Sequence, residues 1–315
     1  MTDASEGAGG AQRTVGRGAS PFDPVPRTWL FTPADERRKL DAALGSRADV
    51  AIADLEDAVA PQRKQLAREQ ACAFVSGDDA PLGGGAPLGE GAPPGDGSPP
   101  AEHAPLRVAR INDPRTDVGR ADLERLSAAT PPALMVPKAE LDSLALAHAA
   151  GVRTIALVET ARGVAEVERI AALDGVVAVA LGAVDLAAEL GLGELPEGLE
   201  LLHVRSRMVL ACALGGVPAL DGVHLAIDGL DALAAEARRA RALGFAGKLC
   251  IHPAQIDVVR EAFAPSAAEL DKARAVVDAY RRSLGEQRGA ALAGGEMVDL
   301  ATVRRAEATL RGAER

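Results

Sequence analysis

The chain has 315 residues, 48% of them apolar, which is enough for one large domain with a closed core. Only 2% are aromatic, so that core is expected to consist of Ala, Leu and Val. The net charge of −10 argues against nucleic acid as the main partner, and no apolar span is long enough for a transmembrane helix.

Residues 1–26 begin small, polar and Gly-rich and read as a disordered leader without the apolar core of a signal peptide. TWLFTP (28–33) is the first strand-like run, followed by a charged helix start at 35–39. VAIADLED (50–57) is the second, apolar in its body and acidic at its end through Asp54, Glu56 and Asp57. Residues 61–75 are helical by spacing. Residues 77–105 are Pro/Gly-rich without periodicity and read as a flexible surface insertion. Their Gly-Gly-Gly lacks the preceding strand and the following Gly-Lys-Ser/Thr of a phosphate loop.

LRVARIN (106–112) and ALMVPK (133–138) are strand-like, each with a helical pattern behind it. Next comes TIALVETARGVAEVERIAALDGVVAVALGAVD (154–185). One apolar run ends in Glu159, a helical pattern follows, and a second apolar run ends in Asp185. Parallel strands joined by a crossover helix put both tips on one edge of a sheet. Two carboxylates there, with no thiolate or imidazole beside them, suit a hard divalent cation such as magnesium.

PALDGVH (218–224) and GKLCIH (247–252) complete the series, each followed by a helical face: Leu230, Leu233, Ala237 and Ala240, then Ile256, Val259 and Phe263. Eight βα units in about 240 residues predict an α/β fold, a (β/α)8 TIM barrel over residues 27–263. A doubly wound sheet is the alternative, but it rarely has eight regular units without a Gly-rich first turn. Residues 264–315 form a C-terminal helical extension. A Ser266–Glu269 capping box opens a helix with Leu270, Ala273, Val277 and Leu284 on one side; a last helix carries Val303, Ala306 and Leu310. This extension is expected to pack on a neighbouring subunit or to act as a lid. Cys72, Cys212 and Cys250 have no CxxC spacing and read as reduced, buried thiols of a cytoplasmic protein.

In a barrel of this kind the active site lies at the C-terminal ends of the strands. Besides the carboxylates already named, the polar residues there include Thr32, Arg110, Asn112, Lys138, Glu140, Arg162, Asp221, His224 and His252. No serine or cysteine nucleophile has a plausible base, GxSxG is absent, and no His/Cys cluster suits zinc. Carboxylates for a hard metal and basic groups for an anionic substrate remain. Lys138 reads equally as a pocket residue and as a structural partner of Glu159 or Glu56, and His252, which precedes a proline, as a capping or packing residue at least as readily as a catalytic one.

RTWLFTPADERRK, ADLEDAVAP, RIND, VPKAE, ALVETARG, LGAVDLAAELG and GKLCIHPAQI occur in this order. Together they resemble the HpcH/HpaI aldolase and citrate lyase β-subunit-like family, which includes malyl-CoA and citramalyl-CoA lyases. The resemblance implies a (β/α)8 barrel, a homotrimer or hexamer, and one Mg2+ (Mn2+ being possible) per site on Glu159 and Asp185. It implies that Arg110 contacts the substrate's acyl or keto-acid oxygens. Arg27, Arg37 and Arg38 would lie near the coenzyme A phosphates, and Ile251 and His252 beside the thioester. Glu56, with Asp57, would orient metal-bound water or Arg110. Asp299, in GGEMVDLATVRRAEATL, would reach a neighbour's site and exchange a proton with the acyl-CoA carbon. The implied reaction cleaves a 3-hydroxy-carboxyacyl-CoA into an acyl-CoA and a 2-keto acid. Thioester hydrolysis of the malate-synthase type, citrate lyase β-subunit action on an acyl-carrier thioester, and pyruvate aldolase activity on free aldehydes are the alternatives. Pro33-Ala34 replaces the family's Pro-Gly, and the 77–105 insertion has no counterpart in it.

Overall fold

A computed structural model describes residues 19–77, 104–285 and 291–313. Most of the expected leader and insertion therefore lies outside the described residues. In chain order, β1 (Thr28–Pro33) leads to α1 (Arg37–Leu44), β2 (Val50–Asp54) to α2 (Lys64–Ser76), and β3 (Leu106–Arg110) to α3 (Asp117–Ser127). β4 (Leu134–Val136) leads to α4 (Leu141–Ala149), and β5 (Thr154–Val158) to α5 (Ala161–Ala165) and α6 (Val167–Ala172). β6 (Val176–Leu181) leads to α7 (Ala183–Leu190) and α8 (Leu202–Gly215), β7 (Ala219–Asp221) to α9 (Leu230–Leu243), and β8 (Gly247–Cys250) to α10 (Gln255–Phe263).

All eight strands are parallel and close in sequence order, with β8 pairing back onto β1 through Thr28 and Lys248. Strands in such a barrel are buried on both faces, inside by the core and outside by helices, which is why they read as continuous apolar runs. Ile52, Val108, Met135, Ile155, Leu157, Leu220 and Leu249 belong to one buried core. Phe22 joins it: it is 1% exposed and meets the Trp29 ring edge-on at 4.8 Å. That corrects the expected boundary, because the end of the presumed leader packs against β1.

Several strands stop short of their apolar runs. β2 ends at Asp54 rather than at residue 57, and β6 ends four residues before Asp185. The polar residues beyond each tip leave the ladder to form the loops that hold the site.

Residues Arg260–Arg315 form a second compact unit. α11 (Ala267–Gly285) opens on the predicted capping box: the Ser266 N–H donates to Glu269 Oε2 (2.8 Å) and the Glu269 N–H to Ser266 Oγ (3.2 Å). An antiparallel hairpin, β9 (Ala291–Ala293) with β10 (Glu296–Val298), was not legible in the Gly-rich break. α12 (Leu300–Ala313) completes a small core of Ala273, Val276, Val277, Val298, Val303 and Ala306. Leu284, expected on the apolar side of α11, is 54% exposed. No helix among the described residues is long and apolar enough to cross a membrane.

Candidate active site at the C-terminal edge of the barrel

The strand tips enclose a cavity of about 410 Å3. Asp54, Asp57, Arg110, Glu159 and Asp185 give it charge, while Phe31, Leu157, Leu181, Val223, Leu225 and Leu249 give it apolar walls.

Arg110, the last residue of β3, is register partner to Asp54, the last of β2. Its Nε and Nη2 each donate to one oxygen of Asp54 at 2.7 Å. Nη1 lies 3.0 Å from Glu56 Oε2 and 3.2 Å from Asp57 Oδ2, and the guanidinium stacks over the Phe31 ring at 4.8 Å. Burial opposes the charge on Arg110, but Asp54, Glu56 and Asp57 outweigh it and hold the guanidinium well above its ordinary pKa. Asp54 also accepts the N–H groups of Glu56 (2.9 Å) and Ala58 (3.3 Å), so one carboxylate folds the acidic loop and fixes the arginine. Lys64 pins that loop from behind by donating to the carbonyls of Leu55 and Glu56, both at 2.6 Å.

Glu159 follows β5 and is 2% exposed. The backbone N–H of Lys138 donates to its Oε1 at 2.8 Å, with Lys138 Nζ 3.8 Å from the same oxygen. Lys138 has φ of 46°, a left-handed conformation that costs a non-glycine residue energy and recurs at functional sites. Its Nζ donates to Glu56 Oε1 at 2.7 Å, so Lys138 bridges both acids that the sequence left it to choose between. Burial, reinforced by the negative charge of Glu56, pushes the Glu159 carboxyl up to about 8. On its other side is Gly182, where a Cβ would collide with Glu159 Cβ and Oε2.

Asp185 lines the same cavity, but from the exposed first turn of α7 rather than from the tip of β6. Among the described residues no group of three or more His, Cys, Asp or Glu side chains is arranged to hold a metal. Two carboxylates fit magnesium nonetheless, since that ion keeps several waters and takes one or two carboxylates plus substrate oxygens. The other observations agree. Glu159 is a buried carboxyl whose ionisation calls for a nearby cation, and the buried Glu56 Oε2 accepts no hydrogen bond despite its contact with Arg110. A water on a bound cation would satisfy it.

Not every expected site residue comes to the cavity. Ile251 lines it. His252 does not; its Nδ1 accepts the Ala254 N–H at 3.2 Å, which is the capping role. Arg37 and Arg38 open α1, just past the tip of β1, with Arg37 paired to Asp41 at 2.8 Å and Arg38 exposed. Arg27 must be corrected. It precedes β1, and its N–H donates to Asp49 Oδ2 (2.9 Å) at the opposite, N-terminal edge. A six-residue strand, roughly 20 Å long, separates it from the site. Asn112 turns away to Asp122, and Glu140 caps α4. Asp299, in the second unit, is exposed and caps α12 by accepting the Thr302 N–H at 2.8 Å.

Asp221 and His224, also expected in the pocket, face the helix layer instead. Asp221 pairs in register with Lys248, whose Nζ donates to Asp221 Oδ2 and Glu236 Oε1, each at 2.7 Å. Arg205 of α8 donates to the other Asp221 oxygen at 3.0 Å, and His224 Nδ1 meets Glu236 Oε2 at 2.8 Å. Burial works against the Lys248 ammonium, yet its two acids hold it above its ordinary pKa. Gln255 ties the neighbouring loops, donating to the His224 carbonyl (2.9 Å) and accepting the Ile251 N–H (2.9 Å).

Fold and site together define a (β/α)8-barrel protein with an arginine–carboxylate site at the C-terminal edge of its strands. The chain belongs to the HpcH/HpaI aldolase/citrate lyase family, whose model matches residues 100–253. It is 39% identical over 292 residues to a citrate lyase subunit beta-like protein of Mycobacterium tuberculosis, covering 90% of this chain and 94% of the relative. It is 32% identical over 300 residues to a (3S)-malyl-CoA thioesterase of Cereibacter sphaeroides, covering 94% and 96%. The crystal structure of M. tuberculosis CitE in complex with magnesium, acetoacetate and coenzyme A superposes with a TM-score of 0.74 at 38% identity, covering 92% of this chain and 98% of that one.

Proposed function

We propose that the protein is a magnesium-dependent carbon–carbon lyase. Its substrate would be a 3-hydroxy-carboxyacyl-CoA of the malyl-, citramalyl- or citryl-CoA type, and its products an acyl-CoA such as acetyl-CoA and a 2-keto acid. The observation that carries this reading is the placement of a clamped, buried Arg110 and a buried Glu159 in one cavity with apolar walls. The CitE complex with magnesium, acetoacetate and coenzyme A supports it.

Glu159 and Asp185 are the residues that would hold the cation, with Mn2+ able to replace Mg2+. When bound, it supplies Lewis-acid polarisation and a template for the oxygens of the 2-hydroxy acid. Asp54 uses only one hydrogen of Arg110 Nη2, so a second N–H of that nitrogen is available to the thioester oxygen as enolate charge develops. Glu56 helps to hold Arg110 and offers Oε2 to a water. The substrate hydroxyl proton passes to water as the C–C bond breaks, and Asp299 of a second copy, protonated in turn from solvent, delivers one proton to the enolate carbon. Thr302 holds the Asp299 carboxyl below its ordinary range, so that donation requires the cap on α12 to open. Arg37 and Arg38 would meet the coenzyme A phosphates, and a homotrimer or hexamer would bring Asp299 to the site.

A second reading is thioester hydrolysis after or instead of cleavage, favoured by the 32% identity to a (3S)-malyl-CoA thioesterase. Incubation with Mg2+ and malyl-, citramalyl- or citryl-CoA, following keto acid and free thiol separately, tests both. Keto acid without thiol is the expected result, thiol with or without keto acid supports hydrolysis, and neither with any substrate sinks the enzyme reading.

A further inference from the structure

Two glycines bracket the turn that carries Asp185. On the β5 side Gly182 lies against the Glu159 side chain. On the β7 side a Cβ placed on Gly222 would stand 2.9 Å from the Leu181 carbonyl oxygen and 3.0 Å from Ala183 Cβ. The backbone after β7 is therefore pressed against the end of β6 and the start of α7. Gly222 is not in the left-handed region, so what a side chain would add there is contact, not backbone strain.

The carbonyl of Gly222 is in turn held by Lys248, whose Nζ donates to it at 2.6 Å. An ammonium has three donors, and all three are used, on this carbonyl, Asp221 and Glu236. Lys248 is 0% exposed and faces the helices, away from the neighbouring Leu249 that lines the cavity. A buried ion pair is a poor way to gain stability over an apolar pair of similar volume. What this one does specifically is fix a backbone oxygen of Gly222, in the segment packed against the turn that leads to Asp185.

We propose that Lys248 is a positioning residue for the metal site, acting through Gly222 to fix the β6–α7 turn and hence Asp185. This rests on the reading of Glu159 and Asp185 as the metal carboxylates. Lys248 itself touches neither cation nor substrate. Its effect is on where one ligand stands.

The test is a Mn2+ titration of the full-length protein, followed by electron paramagnetic resonance, alongside circular dichroism and thermal melting. Wild type, Lys248→Met, Gly222→Ala and Asp185→Asn are compared. Wild type should bind Mn2+ and Asp185→Asn should lose it. Lys248→Met and Gly222→Ala should bind about tenfold or more weakly with the barrel's dichroism intact, as expected when an outer partner of a ligand is lost. A purely structural Lys248 would lower the melting temperature and leave Mn2+ affinity alone, and that outcome overturns the inference. Should Lys248→Met not fold, Gly222→Ala decides, because it keeps the lysine network and disturbs only the contact under the turn; wild-type affinity there is equally fatal. If Asp185→Asn binds Mn2+ like wild type, the metal reading itself fails and this inference falls with it.

Discussion

Arg110 and Asp54 are joined by two hydrogen bonds of 2.7 Å between register partners at the ends of adjacent strands. A guanidinium fixed this way aims the second N–H of Nη2 in one direction, which a lysine point charge cannot reproduce. Arg110→Lys should lower kcat for keto-acid release by about 10²–10³-fold, the usual cost of losing an oxyanion donor, with a folded protein. Asp54→Asn should act mainly on stability. It removes one partner of a buried pair and weakens the loop bonds to Glu56 and Ala58, so a loss of about 3–5 kcal/mol in urea unfolding is expected. Full activity in Arg110→Lys would remove the arginine from the mechanism.

Gly182 makes a second prediction. Its Cα stands where only hydrogen fits against Glu159. Gly182→Ala should cost about 1–3 kcal/mol by overpacking. It should also displace the Glu159 carboxylate, so Mg2+ should raise the melting temperature of wild type but not of the variant. Equal Mg2+ stabilisation of both would show that Glu159 is not the ligand.

The thiols give a third. All three cysteines are free and buried, and burial raises Cys212 and Cys250 each to about 12 and Cys72 above its ordinary value. At pH 8 a thiol of that pKa is ionised in only about one molecule in ten thousand. The native protein should therefore give no rapid reaction with Ellman's reagent, and guanidinium should release three thiols. A fast native thiol would contradict the burial.

The barrel was legible because its strands are doubly buried and its helices keep a 3.6-residue period, two signals that need no tertiary information. The family motifs carried Glu159 and Arg110 into the site as well. What stayed hidden depended on register. Asp54, Glu56 and Asp57 look alike in ADLEDAV, and only the alignment of β2 with β3 makes Asp54 the clamp. The same alignment of β7 with β8 joins Asp221 to Lys248 behind the barrel, where the sequence placed Asp221 in the pocket. Arg27 went astray because the motif match carried it to the site although the residue precedes the first strand, at the edge opposite the strand tips. Asp185 was displaced because LGAVD continues the apolar run of β6 after the helix has begun.

The last prediction concerns Glu159 and pH. Its carboxyl titrates at about 8 in the folded chain against 4.5 ordinarily, because burial and Glu56 disfavour the charge. Between those values the folded state binds more protons than the unfolded one, so metal-free stability must fall as pH rises through that window. The fall should be on the order of a few kcal/mol and should level off above pH 8. A divalent cation takes the proton's place, so Mg2+ affinity should rise about tenfold per pH unit up to pH 8 and flatten beyond it. Melting curves from pH 5.5 to 9, in EDTA and in saturating Mg2+, should diverge up to about pH 8 and run parallel beyond it. Glu159→Gln removes the titrating group, and its two curves should coincide at every pH. Were the wild-type curves to stay parallel while Mg2+ binds, the cation would be held by groups already ionised at pH 5.5, and Glu159 would lose its place as the principal ligand.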